Sequence, residues 1–270
     1  MVFPSDFETV IAKAWQQARD FPGFLSEAEF RALGVLALCA PREGVIVEIG
    51  SFKGKSTVAL ASVAKHYGLG SVVSIDPHTS PSETDPDLAG QPSSFDDFLA
   101  NIRAAGVEQQ VEIHREFSQR VANGWQRPIR MLWIDGDHTY KGAKQDFDLF
   151  HPFLVERATI ALHDTLNRHF EGPIRVFVED ILRSDRFGTA AFCNSIGWSQ
   201  FRPRDGRQFH AERERLAARA ERLIPFVMVG NSVEGVRKLH YKLRRWRVPH
   251  TPLSAAEMAS RIGFVGPTAD

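Results

Sequence analysis

The chain has 270 residues, 43% of them hydrophobic, enough to bury one full α/β core and leave chain over for an appendage. Its 33 basic residues balance 33 acidic ones, so no global charge steers it toward nucleic acid or a membrane. Two distant cysteines, Cys39 and Cys193, exclude a disulfide framework and a cysteine metal site, and no apolar stretch has the length of a membrane span or the layout of a secretory signal; a soluble, cytoplasmic protein is expected.

In chain order, Phe7, Val10, Ile11 and Trp15 recur at helical spacing, and Ser26 with Glu29 spells a capping box for a second helix beyond Pro22-Gly23. Pro41-Arg42-Glu43-Gly44 breaks the helical pattern and Val45–Ile49 reads as a strand. A turn with two glycines, Gly50 and Gly54, leads into a helical run, and residues 71–75 form a second strand closed by Asp76. Strand, helix, strand in so few residues makes a right-handed βαβ unit and a parallel sheet. Residues 79–94 are rich in Pro, Ser, Asp and Gly and read as a lid or binding loop, or else as a disordered segment. Beyond it come a helix over 95–105, the strand Val111–His114, and a turn ending in Ser118.

The next strand, 130–134, delivers Asp135-Gly136-Asp137-His138. A helix over Tyr140–Phe150 precedes the strand 158–162, which delivers His163-Asp164-Thr165. A helix over 174–182 and an antiparallel hairpin of 189–193 with 198–201 follow. The expected architecture is a Rossmann-like α/β fold: seven strands, mostly parallel with one antiparallel, and helices on both faces. Residues 1–40 would be a helical lead, 41–203 the core and 204–270 a helical appendage.

Three ligands compete for the first turn. A phosphate loop needs four residues between its glycines, and Gly50 to Gly54 encloses three. A dinucleotide fingerprint needs a second glycine where Ser51-Phe52 stands. An acid two positions before the first glycine, then a short Gly-Ser-x-x-Gly turn, suits a ligand with an amino acid part and a ribose but no phosphate. Glu48-Ile49-Gly50-Ser51-Phe52-Lys53-Gly54, with Asp76 after the next strand, resembles the class I S-adenosylmethionine (SAM) methyltransferases. The strand-end motifs around Asp135 and Asp164 are similar to those of small-molecule O-methyltransferases of the macrolide-sugar and cephalosporin-tailoring kind. That resemblance implies cofactor contacts from Glu48, Gly50, Ser51, Phe52, Gly54, Lys55, Ser56, Asp76, Ser118, Asp135, Gly136 and His138, with Asp76 on the ribose hydroxyls and Ser118 near the adenine.

Strand polarity alone brings Asp135, Asp137, His138, His163 and Asp164 to one edge of the sheet, where such groups bind a divalent metal, supply a base, or do both. By the resemblance, Asp135 and Asp164 fall on Mg²⁺-binding positions. His163 stands where many relatives have a second acid; as a ligand it would favour Mn²⁺, Fe²⁺ or Zn²⁺ over Mg²⁺, or else it contacts substrate. The expected metal set is therefore Asp135, His163 and Asp164, the cation being Mg²⁺ or Mn²⁺, and the expected catalytic set is His138, Asp135 and His163, with His138 accepting the proton.

The tail is different in kind. Residues 236–247 interleave Arg237, Lys238, Lys242, Arg244, Arg245 and Arg247 with Leu239, Tyr241, Leu243 and Trp246. This reads first as a solvated helix face, and second as a contact for an anionic membrane surface or substrate. The favoured function is methyl transfer from SAM to a hydroxyl of a small molecule, a sugar or glycosylated natural product, by a homo-oligomer without nucleic-acid partners. A P-loop NTPase using Lys55-Ser56, and a SAM-binding module without catalysis, are the rivals.

Overall fold

The structure, a computed structural model, describes residues 3–79, 93–227 and 235–264. The expected loop over 79–94 lies, apart from its ends, outside the described residues. Phe7–Ala18 (α1) and Glu27–Cys39 (α2) form the helical lead. The capping box at the start of α2 is present: Ser26 Oγ accepts from the Glu29 amide and the Glu29 carboxylate accepts from the Ser26 amide. The core runs β1 (Val45–Ile49), α3 (Lys55–His66), β2 (Val72–Ile75), α4 (Phe95–Ala104), β3 (Val111–His114), α5 (Ser118–Ala122), β4 (Ile129–Ile134), α6 (Tyr140–Phe150) and β5 (Leu154–Leu162). It continues with α7 (Glu171–Val176), whose axis runs on as a π-type turn over Phe177–Leu182, and closes with β6 (Phe187–Cys193) and β7 (Ile196–Phe201).

The seven strands lie in the order β3-β2-β1-β4-β5-β7-β6. The first five are parallel, and β7 pairs antiparallel with both β5 and β6. The order reverses between β1 and β4, where the connections leave to opposite sides and open a crevice at the carboxyl ends of the strands. Runs of fully buried apolar residues, among them Ile46, Val47, Leu132, Trp133 and Ile160, explain why these segments form central strands.

Both faces of the sheet are covered. On one side α1, α2 and α3 pack with α4 and the C-terminal helix α10 (Ala255–Ile262) around Phe7, Phe30, Leu33 and Trp198. On the other, α6, α7 and α8 (His210–Ala220) enclose Phe147, Phe150, Phe177 and Leu216. Arg213 of α8 is fully buried, donating to the carbonyls of Leu182, Ser184, Phe187, Gly188 and Gly206. Spread over five acceptors, with the exposed Asp185 carboxylate 3.8 Å away, its charge fastens α8 to the start of β6. Another helix, α9 (Gly235–Trp246), follows. Among the described residues no helix is long and apolar enough to cross a membrane.

Candidate active site

A cavity of about 980 Å³ opens at the carboxyl ends of β1, β2, β4 and β5. Its floor is the turn from β1 into α3. Gly50 adopts φ +84°, and a Cβ there would overlap the Asp135 carbonyl, so only glycine lets the turn cross so close beneath β4. The amides of Ser51 and Phe52 both donate, at 2.8 Å, to one oxygen of Asp76, while its other oxygen accepts from the His78 amide. These N–H groups would face a phosphate in a P-loop, and here a side-chain carboxylate already satisfies them.

Glu48 lies beneath the turn, fully buried, and accepts from Thr57 Oγ1 at 2.5 Å. Its Oε1 and the Ser51 hydroxyl are buried without a partner among the described residues. Burial pushes the Glu48 carboxyl up to about 8, against the opposing hydrogen bonds from Ser56 and Thr57. Its folded pKa stands above its unfolded value of 4.5, so the folded state holds the extra proton between them and stability declines as pH rises through that window. Melting curves of the ligand-free protein from about pH 5 to about pH 8 should show this decline, and Glu48→Gln should flatten it. An unchanged slope in the variant would assign the effect to another group.

Four side chains gather at the rim. Asp135 leaves β4, with His138 three residues on, and His163 and Asp164 leave β5; Asp164 is in the left-handed region at φ +55°. His163 Nδ1 lies 3.1 Å from Asp135 Oδ1 and 3.6 Å from Asp164 Oδ2. His138 Nε2 lies 3.5 Å from Asp135 Oδ1 and 3.3 Å from Asp164 Oδ2, its ring stacked on Phe170 at 4.2 Å. Burial alone would depress both imidazoles, yet the two carboxylates outweigh it, lifting His138 to about 9 and His163 to about 10. Burial would likewise raise Asp164, but the histidines hold it well below the usual carboxylate range.

Asp135, His138 and Asp164 each offer a ligand atom, and these atoms all lie within 4.8 Å of one another. The trio differs from the expected Asp135, His163 and Asp164 by one histidine. His163 has its Nε2 4.0 Å from Glu29 Oε1, so it bridges the cluster to the helical lead.

Residues 47–165 match a family model described as a methyltransferase domain. This stretch, from β1 through β5, carries the likeness to a methyltransferase domain. The fold of the chain is similar to that of cofactor-bound Rv0187 from MTB, at 16% identity over 74% of this chain and 91% of that one, with a TM-score of 0.54. It is also similar to the O-methyltransferase NovP (13%, 71% and 88%, TM-score 0.55) and to the O-methyltransferase TomG from Streptomyces achromogenes (16%, 74% and 91%, TM-score 0.50).

The cavity is lined by Gly50, Ser51, Phe52, Lys55, Ser56, Asp76, Ser118, Asp135, Gly136, His138, His163 and Asp164, whereas Glu48 and Gly54 stand behind its wall. Lys55 reaches back to the carbonyls of Arg19 at 3.2 Å and Gly23 at 3.5 Å, tying the α1–α2 connection over the turn. Asp137 caps locally, accepting from the Thr139 amide. Three participants carry no sequence signal of their role. Asp146 of α6 accepts from Ser118 Oγ at 2.5 Å, and burial raises its carboxyl to about 6. Asn167 donates to Asp164 at 3.0 Å. Glu29, legible only as a capping residue, also accepts from the Ser195 amide and hydroxyl, so one buried carboxylate joins α2, the β6–β7 turn and the back of His163.

Proposed function

We propose that this chain is a methyltransferase that takes its methyl group from SAM and delivers it to a hydroxyl of a small molecule, a sugar or glycosylated natural product, with a divalent cation held by Asp135, His138 and Asp164. The observation that carries this reading is the convergence of that trio on the rim of the same cavity whose floor is the Gly50 turn. SAM fits the floor. The turn amides are taken by Asp76, which suits a ligand without phosphate, and the Ser51 hydroxyl, without a partner among the described residues, lies at the turn where the methionine end would rest. Ser118 and Asp146 offer a polar edge to the adenine.

The mixed oxygen and nitrogen donor set suits Mn²⁺, Fe²⁺ or Zn²⁺ better than Mg²⁺. Such a cation would lower the pKa of the acceptor hydroxyl and fix its oxygen. The protein's own task is alignment of that oxygen with the methyl group. Phe24, Leu25 and Phe170 line the cavity, while Asn167 and the Phe170 stack hold Asp164 and His138 in place. A second reading makes His138 the proton acceptor with no cation. It requires His138 to be neutral, as ligation of a cation also does, and with no cation in place the adjacent carboxylates favour the protonated ring. The NTPase alternative loses its lysine, because Lys55 is engaged with Arg19 and Gly23. A cytoplasmic homo-oligomer completes the reading, with sedimentation velocity as the test of its assembly.

Incubation with SAM and a panel of hydroxylated acceptors should release S-adenosylhomocysteine, with EDTA suppressing release and Mn²⁺ restoring it. Release indifferent to EDTA would remove the cation from the proposal. Tight SAM binding without release across the panel would leave a binding module.

A further inference from the structure

The helix α9 presents to solvent what a globular protein ordinarily buries. Val236, Leu239, Leu243 and Trp246 are 70%, 56%, 52% and 81% exposed. At about 100° per residue they fall within an arc of about 80°, on the side of the helix opposite Tyr241. Tyr241 is the helix's buried residue, and its hydroxyl donates to the Leu166 carbonyl. The helix is therefore anchored by one face, and its apolar stripe points directly away from the protein.

Charge borders the stripe. Residues 235–250 contain six lysines and arginines and no acid. Beside the helix lies a recess of about 710 Å³ lined by Arg219, Arg222, Pro225, Phe226, Arg244 and Arg247, with the Arg244 guanidinium 4.3 Å from the centre of the Phe226 ring. Four arginines around one recess, with no carboxylate among the residues that line it, make a site for a phosphate-bearing anion.

We propose that α9 docks this protein on an anionic lipid bilayer, the Val236, Leu239, Leu243 and Trp246 stripe entering the headgroup boundary and the arginine recess receiving lipid phosphate. The two observations select one partner. An apolar stripe with basic edges and a tryptophan at its end matches an interfacial helix, and the same stripe offers nothing to a nucleic acid. A second copy meeting this face about a twofold axis would set Lys242 and Arg247, the cations that flank the stripe, against their own copies. The proposal does not depend on which acceptor is methylated. Tyr241 holds α9 to Leu166, beside the cavity-lining Asn167, His169 and Phe170, so a docked helix would sit next to the site.

Vesicle flotation of the full chain tests it, comparing phosphatidylcholine alone with phosphatidylcholine containing phosphatidylserine. Binding is expected only to the anionic vesicles, falling with added salt, and with a blue shift in tryptophan emission, since Trp125, Trp133 and Trp198 are already buried. Leu243→Glu, on the exposed stripe, and Arg244→Glu, at the half-buried edge of the recess, should each weaken partitioning by about tenfold or more with unchanged circular dichroism. Trp246→Phe should abolish the blue shift and keep most of the binding. Absence of binding to anionic vesicles overturns the proposal, as does equal binding by wild type and Leu243→Glu. A concentration-dependent dimer that Leu243→Glu dissociates, without vesicle binding, would overturn it in favour of a second copy.

Discussion

Asp164→Asn is expected to lower methyl transfer by about a hundred- to a thousandfold while leaving SAM affinity within about threefold. Asparagine is the informative replacement because residue 164 sits at φ +55°, a conformation asparagine accepts and alanine resists. Its side-chain oxygen can still accept from Asn167, so the change removes charge and little else. Two consequences should appear together. Mn²⁺ affinity, read by calorimetry without any acceptor present, should fall by at least about tenfold, since one of three closely set donors has lost its charge. S-adenosylhomocysteine release should fall in parallel. If SAM affinity falls as steeply as turnover, Asp164 belongs to the cofactor half of the cavity. If turnover holds within about threefold, the rim cluster is not the chemical centre.

Gly50→Ala should be the most damaging single substitution in the floor. The positive φ alone costs about 1–2 kcal/mol for an L-residue with a side chain. The added Cβ also meets the Asp135 carbonyl, with the Gly136 nitrogen at 2.7 Å, and both are backbone atoms that cannot swing aside. Relief requires the end of β4 to move, and that end carries Asp135 into the rim cluster. A loss of about 3–5 kcal/mol in stability and at least about a hundredfold in SAM affinity is expected. Gly68→Ala is the control: φ is +60° there and nothing lies within 4 Å of the added carbon, so the conformational cost should stand alone and SAM binding should be untouched. Equal effects at both positions, by calorimetry and thermal melting, would show that the close approach of turn and strand is unimportant.

What is legible in the sequence follows from the range of the interactions involved. The apolar runs of β1, β2 and β4 stand out because strands buried on both faces are continuously apolar, and with polarity fixed the carboxyl-end residues Asp76, Asp135, His138, His163 and Asp164 must share an edge. The capping box at Ser26 and Glu29 is local and can be read directly. The full length of β5 is hidden, since Glu156 and Arg157 are polar and Arg157 takes φ +69°, interrupting the apolar pattern near the start of the strand. The helix α10 escapes notice behind the charge of the tail that precedes it. Pairings between distant residues leave no trace: Ser118 with Asp146, Lys55 with the Arg19 and Gly23 carbonyls, Glu29 with Ser195 and His163. The resemblance points to the strand ends that share the cavity rim, while spacing does not encode that His138 Nε2 and His163 Nδ1 both come within 3.6 Å of the Asp135 and Asp164 carboxylates.

Lys55 bears on how this enzyme could change its acceptor. Its ammonium donates to the carbonyls of Arg19 and Gly23, and the adjoining Pro22, Gly23, Phe24 and Leu25 form one wall of the cavity, while its backbone begins the helix behind the Gly50 turn. One side chain thus links the wall of the cavity to its floor. Substitutions that reshape residues 22–25 will be felt in donor affinity as well, so a new acceptor range evolves most readily through variants that keep the two carbonyls where Lys55 can reach them.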